Sequence, residues 1–81
     1  MPVDSEAVRI AARAAIREIA HRSVRDDQSI ISSGLVDSLS VLKLIVALER
    51  ALSVRIPTTQ LQPDDFDSVD VIVKTIERVV P

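Results

Sequence analysis

Apolar residues return at three- and four-residue intervals along most of the chain, the period of helices with one buried face. In the first quarter Val8, Ala12, Ala15, Ile16 and Ile19 form one such stripe, which predicts a helix from about Ser5 to about Arg22. Asp4 or Ser5 is placed to cap it, and Glu6 lies favourably in its first turn. Arg9, Arg13 and Arg17 recur at every fourth position as a second, basic stripe. That stripe reads as a solvent-facing helix surface, with a docking face as the alternative.

A second helix is predicted from about Ser38 to about Leu52, with Asp37 or Ser38 as its N-cap and Arg50 near its end. Its apolar residues are too many for one stripe. Val41, Ile45, Leu48 and Leu52 make one line, Leu39, Leu42 and Val46 another, and Leu44 lies between. A small domain has little interior, so one line should enter the core and part of the other should face a partner.

Between these helices, residues 23–37 form a long connection rich in Ser, Asp, Gln and Gly. Ile30, Ile31 and Leu35 are its apolar anchors, and a loop of that length is often functional. After the second helix, Thr58 or Thr59 can cap a short turn running to Leu61, and Pro63 stops it. The last helix starts at Asp67 or Ser68 and reaches about Val79. Its stripe is Val69, Ile72, Val73, Ile76 and Val80, and Phe66 is positioned to pack back as a hydrophobic staple. The prediction is an all-α fold: a small antiparallel bundle of three main helices and one short one, in a single domain spanning residues 1–81, with consecutive helices as neighbours.

Composition removes several functions. There is no cysteine, so there is neither a disulfide nor a thiolate metal site, which suits a cytoplasmic protein. One histidine, His21, makes no multi-histidine site, and nothing in the sequence orients it as a catalytic base. Asp64, Asp65, Asp67 and Asp70 lack the alternate spacing and distal Glu of an EF-hand and read as a cap-rich acidic turn, so no metal site is expected. No apolar run is long enough to insert in a membrane, and no signal peptide is expected. With one aromatic residue, Phe66, and a net charge of −2, the chain lacks what nucleic-acid binding needs. The charge is uneven. Residues 1–25 set five Arg against Asp4, Glu6 and Glu18, whereas residues 56–81 set four Asp and Glu77 against Lys74 and Arg78. A dipolar molecule of this kind orients partners by its field.

The candidate chemistry lies in Gly34-Leu35-Val36-Asp37-Ser38-Leu39. It sets a serine hydroxyl where a long loop meets a helix N-terminus, a position that stabilises an attached anion through free N–H groups and the helix dipole. Gly34 permits a sharp turn, and Asp37 sets a carboxylate beside the hydroxyl. The same dipeptide is also an ordinary helix cap. Ser38 as a cap only, in a non-catalytic helical protein-interaction domain, is therefore the competing reading.

The stretch GLVDSLSVLKLIVALERALSVRIP resembles the acyl and peptidyl carrier protein family around its modification site, and LQPDDFDSVDVIVKTIERVV resembles that family's acidic turn and final helix. The resemblance implies a carrier, not an enzyme, with 4'-phosphopantetheine attached covalently to Ser38. It implies that Asp37 helps hold the magnesium used by the phosphopantetheinyl transferase, and that Leu39, Leu42 and Val46 face partner enzymes. Those partners are the transferase, an acyl- or aminoacyl-activating loading enzyme, and downstream condensing or transfer enzymes, all meeting a monomeric carrier. Carriers of fatty-acid synthesis have a strongly acidic second helix. Here Lys43 and Arg50 stand where acids are expected, Ser40 and Ala51 are uncharged, and Glu49 alone keeps the acid. Lys43 is thereby part of the partner surface. Glycine four residues before the serine is closer to D-alanyl and other dedicated carriers. The expectation is a discrete carrier of acyl or aminoacyl thioesters in a specialised pathway of polyketide, nonribosomal peptide or aminoacyl-transfer type.

Overall fold

The computed structural model describes residues 3–80. Among them there are three α-helices, α1 (Ser5–Ala20), α2 (Ser38–Leu52) and α3 (Val69–Val79), and two 3-10 helices, Thr58–Gln60 and Pro63–Phe66. The chain is an all-helical bundle, as its periodicity predicts. Asp4 caps α1 by accepting the Glu6 N–H at 3.3 Å, and Ser68 caps α3 by accepting the Val71 N–H at 3.1 Å. α1 is shorter than its pattern. His21 turns left-handed with φ 60° and its N–H closes on the Arg17 carbonyl, so the helix stops at Ala20, short of Arg22. The second 3-10 helix was not foreseen. It starts at Pro63, the residue expected only to stop the turn before it, and Asp65 secures it by accepting the Gln62 N–H at 2.8 Å.

α1 is the central element and packs against both α2 and α3. α2 and α3 are not direct backbone neighbours. The Pro63–Phe66 helix contacts both of them and carries Phe66 into the core. The expected adjacency of consecutive helices therefore holds for α1 and α2 and fails for α2 and α3, because residues 53–68 hold two helical turns instead of a tight reversal. Phe66 is two residues ahead of the cap Ser68, so its burial is ordinary core packing, one position off the staple geometry.

The apolar stripes divide as their spacing implies. Val8, Ala12, Ala15 and Ile16 of α1 are buried together with Ala11, and Ile19 is half-buried. All five stripe residues around α3 are buried, and Thr75 joins them with its hydroxyl donated to the Asp65 carbonyl at 2.8 Å. On α2 the buried residues are Val41, Leu44, Ile45 and Leu48, with Leu52 half-buried. The other line stays out: Leu39 is 79% exposed, Leu42 59% and Val46 46%.

The long connection is held from both ends of α3's cap. Ile30 and Val36 enter the core, while Ile31 and Leu35 are half-buried against it. The Val36 N–H reaches the Ile30 carbonyl, and the Ile30 N–H reaches the Asp67 carbonyl, both at 2.7 Å. The Asp67 carboxylate accepts the N–H groups of Ile31 and Ser32 and the hydroxyls of Ser29 and Ser32. Burial alone would push this carboxyl up, but the hydrogen bonds from Ser32, Ile31 and Ser29 outweigh it and hold it at about 2. One turn earlier in the loop, Asp26 receives a two-pronged contact from Arg13 at 2.7 and 2.8 Å and a third bond from Arg9 at 2.7 Å. Arg13 first, then Arg9, lowers the Asp26 carboxyl to about 2. Arg9 also holds Asp70 of α3 at 2.6 Å. The basic stripe of α1 is thus neither idle surface nor docking face at Arg9 and Arg13, which fasten the loop.

Two outcomes follow. Ile45→Ala or Leu48→Ala removes a buried side chain and should cost about 2–5 kcal/mol, whereas Leu42→Glu and Val46→Glu should leave thermal melting by circular dichroism nearly unchanged. The second concerns acid. Asp26 and Asp67 bind protons more weakly folded than unfolded, since their carboxyls sit at about 2 against an ordinary 3.8. Their contribution is therefore complete above about pH 4 and lost as the pH falls toward about pH 2. Urea midpoints should show Asp67→Asn clearly weaker than wild type near about pH 7 and the two converging near about pH 2; parallel curves would contradict this account.

Candidate functional site

The serine singled out in the sequence is the first residue of α2, directly after the anchored loop. Three local features place it. Gly34 takes φ +82°, a left-handed conformation closed by its own N–H on the Ile31 carbonyl at 3.0 Å. A Cβ there would meet nothing within 4 Å, so glycine is needed for its backbone and not for space. Val36 is buried next, a second anchor that the apolar pattern of the loop did not single out. Asp37 is then extended at ψ 171° and ends the loop as the cap of α2.

The cap is Asp37, not Ser38. The Asp37 Oδ1 accepts the Ser40 N–H at 2.7 Å, and its backbone carbonyl accepts the Val41 N–H at 3.2 Å. This corrects the competing reading of Ser38 as the capping residue. An extended residue before the first turn reaches the third N–H ahead with a short carboxylate, and Ser38, already helical, does not point back at that group. Ser38 is exposed, and its hydroxyl takes part in no hydrogen bond among the described residues. The hydrogen bond from Ser40 lowers the Asp37 carboxyl below its ordinary value, with a smaller push in the same direction from the charge of Lys43. Asp37 is therefore ionised at neutral pH, and a carboxylate has acceptor capacity beyond the one cap bond.

Around the serine the structure brings together most of the residues expected there. Leu39 is next to it and the most exposed large apolar residue among those described. Leu42, Lys43 and Val46 share an open groove with Ala47, Arg50 and Ala51 of α2 and Glu18 of α1. Lys43 is exposed, as its assignment to the partner surface requires. Glu49 does not belong to that surface. Its carboxylate accepts the Ile56 N–H at 2.8 Å and ties down the connection after α2. Three of the four acidic residues of 64–70 are likewise spoken for: Asp65 bonds Gln62 and Arg78, Asp67 bonds the loop, and Asp70 bonds Arg9, while Asp64 is exposed. His21 caps α1 in an exposed position.

A phosphodiester on Ser38 fits this setting. The oxygen is accessible, it stands at the N-terminus of a fifteen-residue helix, and Lys43, five residues along, offsets the charge of Asp37. Among the described residues no helix is long and apolar enough to cross a membrane.

Comparison with known proteins agrees with this geometry. The family described as the phosphopantetheine attachment site matches residues 11–76, from the middle of α1 to the last turns of α3. D-alanyl carrier proteins of Streptococcus pyogenes serotypes M5, M49 and M1 are each 32% identical to this chain over 53 residues, covering 65% of it and 67% of their own length. The chain belongs to the phosphopantetheine-binding carrier protein family, whose members bear a covalent 4'-phosphopantetheine on a serine.

Proposed function

We propose that the chain is a single-domain carrier that holds its cargo as a thioester on a phosphopantetheine arm joined to Ser38, and that it does no catalysis itself. The observation that carries this reading is the division of labour at the start of α2: Asp37 makes the cap and leaves the Ser38 hydroxyl exposed and unbonded. In the modification step the Ser38 oxygen displaces the adenosine bisphosphate portion of coenzyme A and keeps the phosphopantetheine, losing its own proton. The role assigned to Asp37 is to present an ionised carboxylate to the magnesium ion of the phosphopantetheinyl transferase while holding the helix end that orients Ser38. Once in place, the arm supplies a terminal thiol on which an acyl or aminoacyl group is carried.

The D-alanyl carrier relatives favour an aminoacyl cargo over a fatty acyl one. The helix charge favours the same side, since α2 has Lys43 and Arg50 where a fatty-acid carrier has acids. The remaining partners are then an aminoacyl-activating loading enzyme and a transfer or condensing enzyme of a specialised pathway. The carrier acts as a monomer, in the cytoplasm, where coenzyme A is supplied.

Incubation with coenzyme A and a promiscuous phosphopantetheinyl transferase should raise the intact mass by one phosphopantetheinyl group, and Ser38→Ala should abolish the gain. A gain that persists in that variant, or maps to Ser40, overturns the assignment. The stability readout is separate. Ser38→Ala should leave the melting temperature within roughly 2 °C of wild type, whereas Asp37→Ala, which loses the cap, should lower it by roughly 5 °C. Asp37→Asn should retain most of the cap, since Asn also caps, yet slow the modification by about tenfold or more through loss of the metal-binding charge.

A further inference from the structure

The exposed face of α2 combines two properties that constrain what can cover it. Leu39, Leu42 and Val46 give it an apolar centre left in water at a cost to the free protein. Lys43 and Arg50 flank that centre in the same groove, and the groove continues past Val46 and Arg50 to Arg55. The one carboxylate on α2, Glu49, is drawn away by the Ile56 N–H. The acids on the groove are Glu18 of α1, beside Lys43, and Glu49, which lines the continuation with one carboxylate oxygen held by Ile56, against Lys43, Arg50 and Arg55.

We propose that this face docks on enzymes whose contact patch is apolar at its centre and rimmed by carboxylates, the reverse of a basic docking patch. The proposal rests on the carrier reading and specifies its partners. A basic rim meeting a basic rim loses both association rate and affinity, and an acidic rim gains both, most strongly at low salt. A second copy of this chain is a poor occupant. Of the acidic segment that could supply the opposite charge, Asp65, Asp67 and Asp70 are committed to Arg78, the loop and Arg9, which leaves Asp64 as its one exposed acid without a side-chain bond among the described residues.

The probe is a pair of helical peptides with the same leucine stripe, one flanked by Glu and the other by Lys, titrated into the full chain and followed by backbone amide NMR. The Glu-rimmed peptide should bind about tenfold more tightly at low salt, with shifts centred on Leu42, Lys43, Val46 and Arg50, and the ratio should shrink as salt is added. Lys43→Glu with Arg50→Glu should reverse the preference while leaving the fold intact by circular dichroism. Equal binding, binding of neither peptide, or shifts centred away from α2 overturns the proposal. Self-association of the chain through the same face, seen by sedimentation, assigns the face to a second copy and also overturns it. The carrier reading stands or falls by the mass gain at Ser38, so failure of either is distinguishable from failure of the other.

Discussion

The Asp67 carboxylate is the contact on which the active end of this molecule depends. The chain between α1 and α2 has no regular structure, so its backbone N–H groups need partners from elsewhere. One carboxylate, itself half-buried, supplies them for Ile31 and Ser32 and binds the hydroxyls of Ser29 and Ser32 as well. It stands directly before the cap of α3, so the loop is registered against a helix that is itself fixed by buried Val69, Ile72 and Ile76. Arg9 and Arg13 repeat the device at Asp26, and Arg9 ties that point to Asp70. The position of Ser38 thus follows from contacts made more than a turn away from it, and α2 begins where those contacts end.

The sequence discloses contacts that repeat and conceals those that do not. Helical periodicity located α1, α2 and α3 and separated Ile45 and Leu48 from Leu42 and Val46, because burial on a helix leaves a regular imprint. The ends of helices were less legible. Ser and Asp both cap, so Asp37-Ser38 and Asp67-Ser68 each left two choices, and the answers differ: the Asp caps in the first pair and the Ser in the second. In the second pair the Asp was free for the loop only because the Ser took the cap. Such long-range polar bonds have no period. Arg9, Arg13 and Arg17 look alike in sequence, yet the first two hold Asp26 and the third lines a surface groove. The bond from the Ile56 N–H to Glu49, the one acid that α2 keeps, is hidden in the sequence for the same reason.

The bundle divides the apolar residues of α2 between its core and its surface. α2 supplies Val41, Leu44, Ile45 and Leu48 to a core with a single aromatic residue, and leaves three large apolar residues outside. A chain of 81 residues has little interior to spare, and these three residues lie outside it. The charge on that face is set by a similar economy. Glu49 is held by the Ile56 N–H, while Lys43 and Arg50 line the groove beside the exposed apolar residues.

Gly34 has a consequence of its own. Its backbone is left-handed, and the direction in which a side chain would project is empty. What excludes other residues there is therefore chirality and not volume. A mirror-image amino acid prefers that backbone region, so a D-residue of almost any size is compatible with the turn. In a chain short enough for chemical synthesis, this opens a position four residues from Ser38 where a spectroscopic reporter can be built in without touching the core or the α2 face. The asymmetry of a single α-carbon thus marks a place in the loop where new chemistry can be added at little conformational cost.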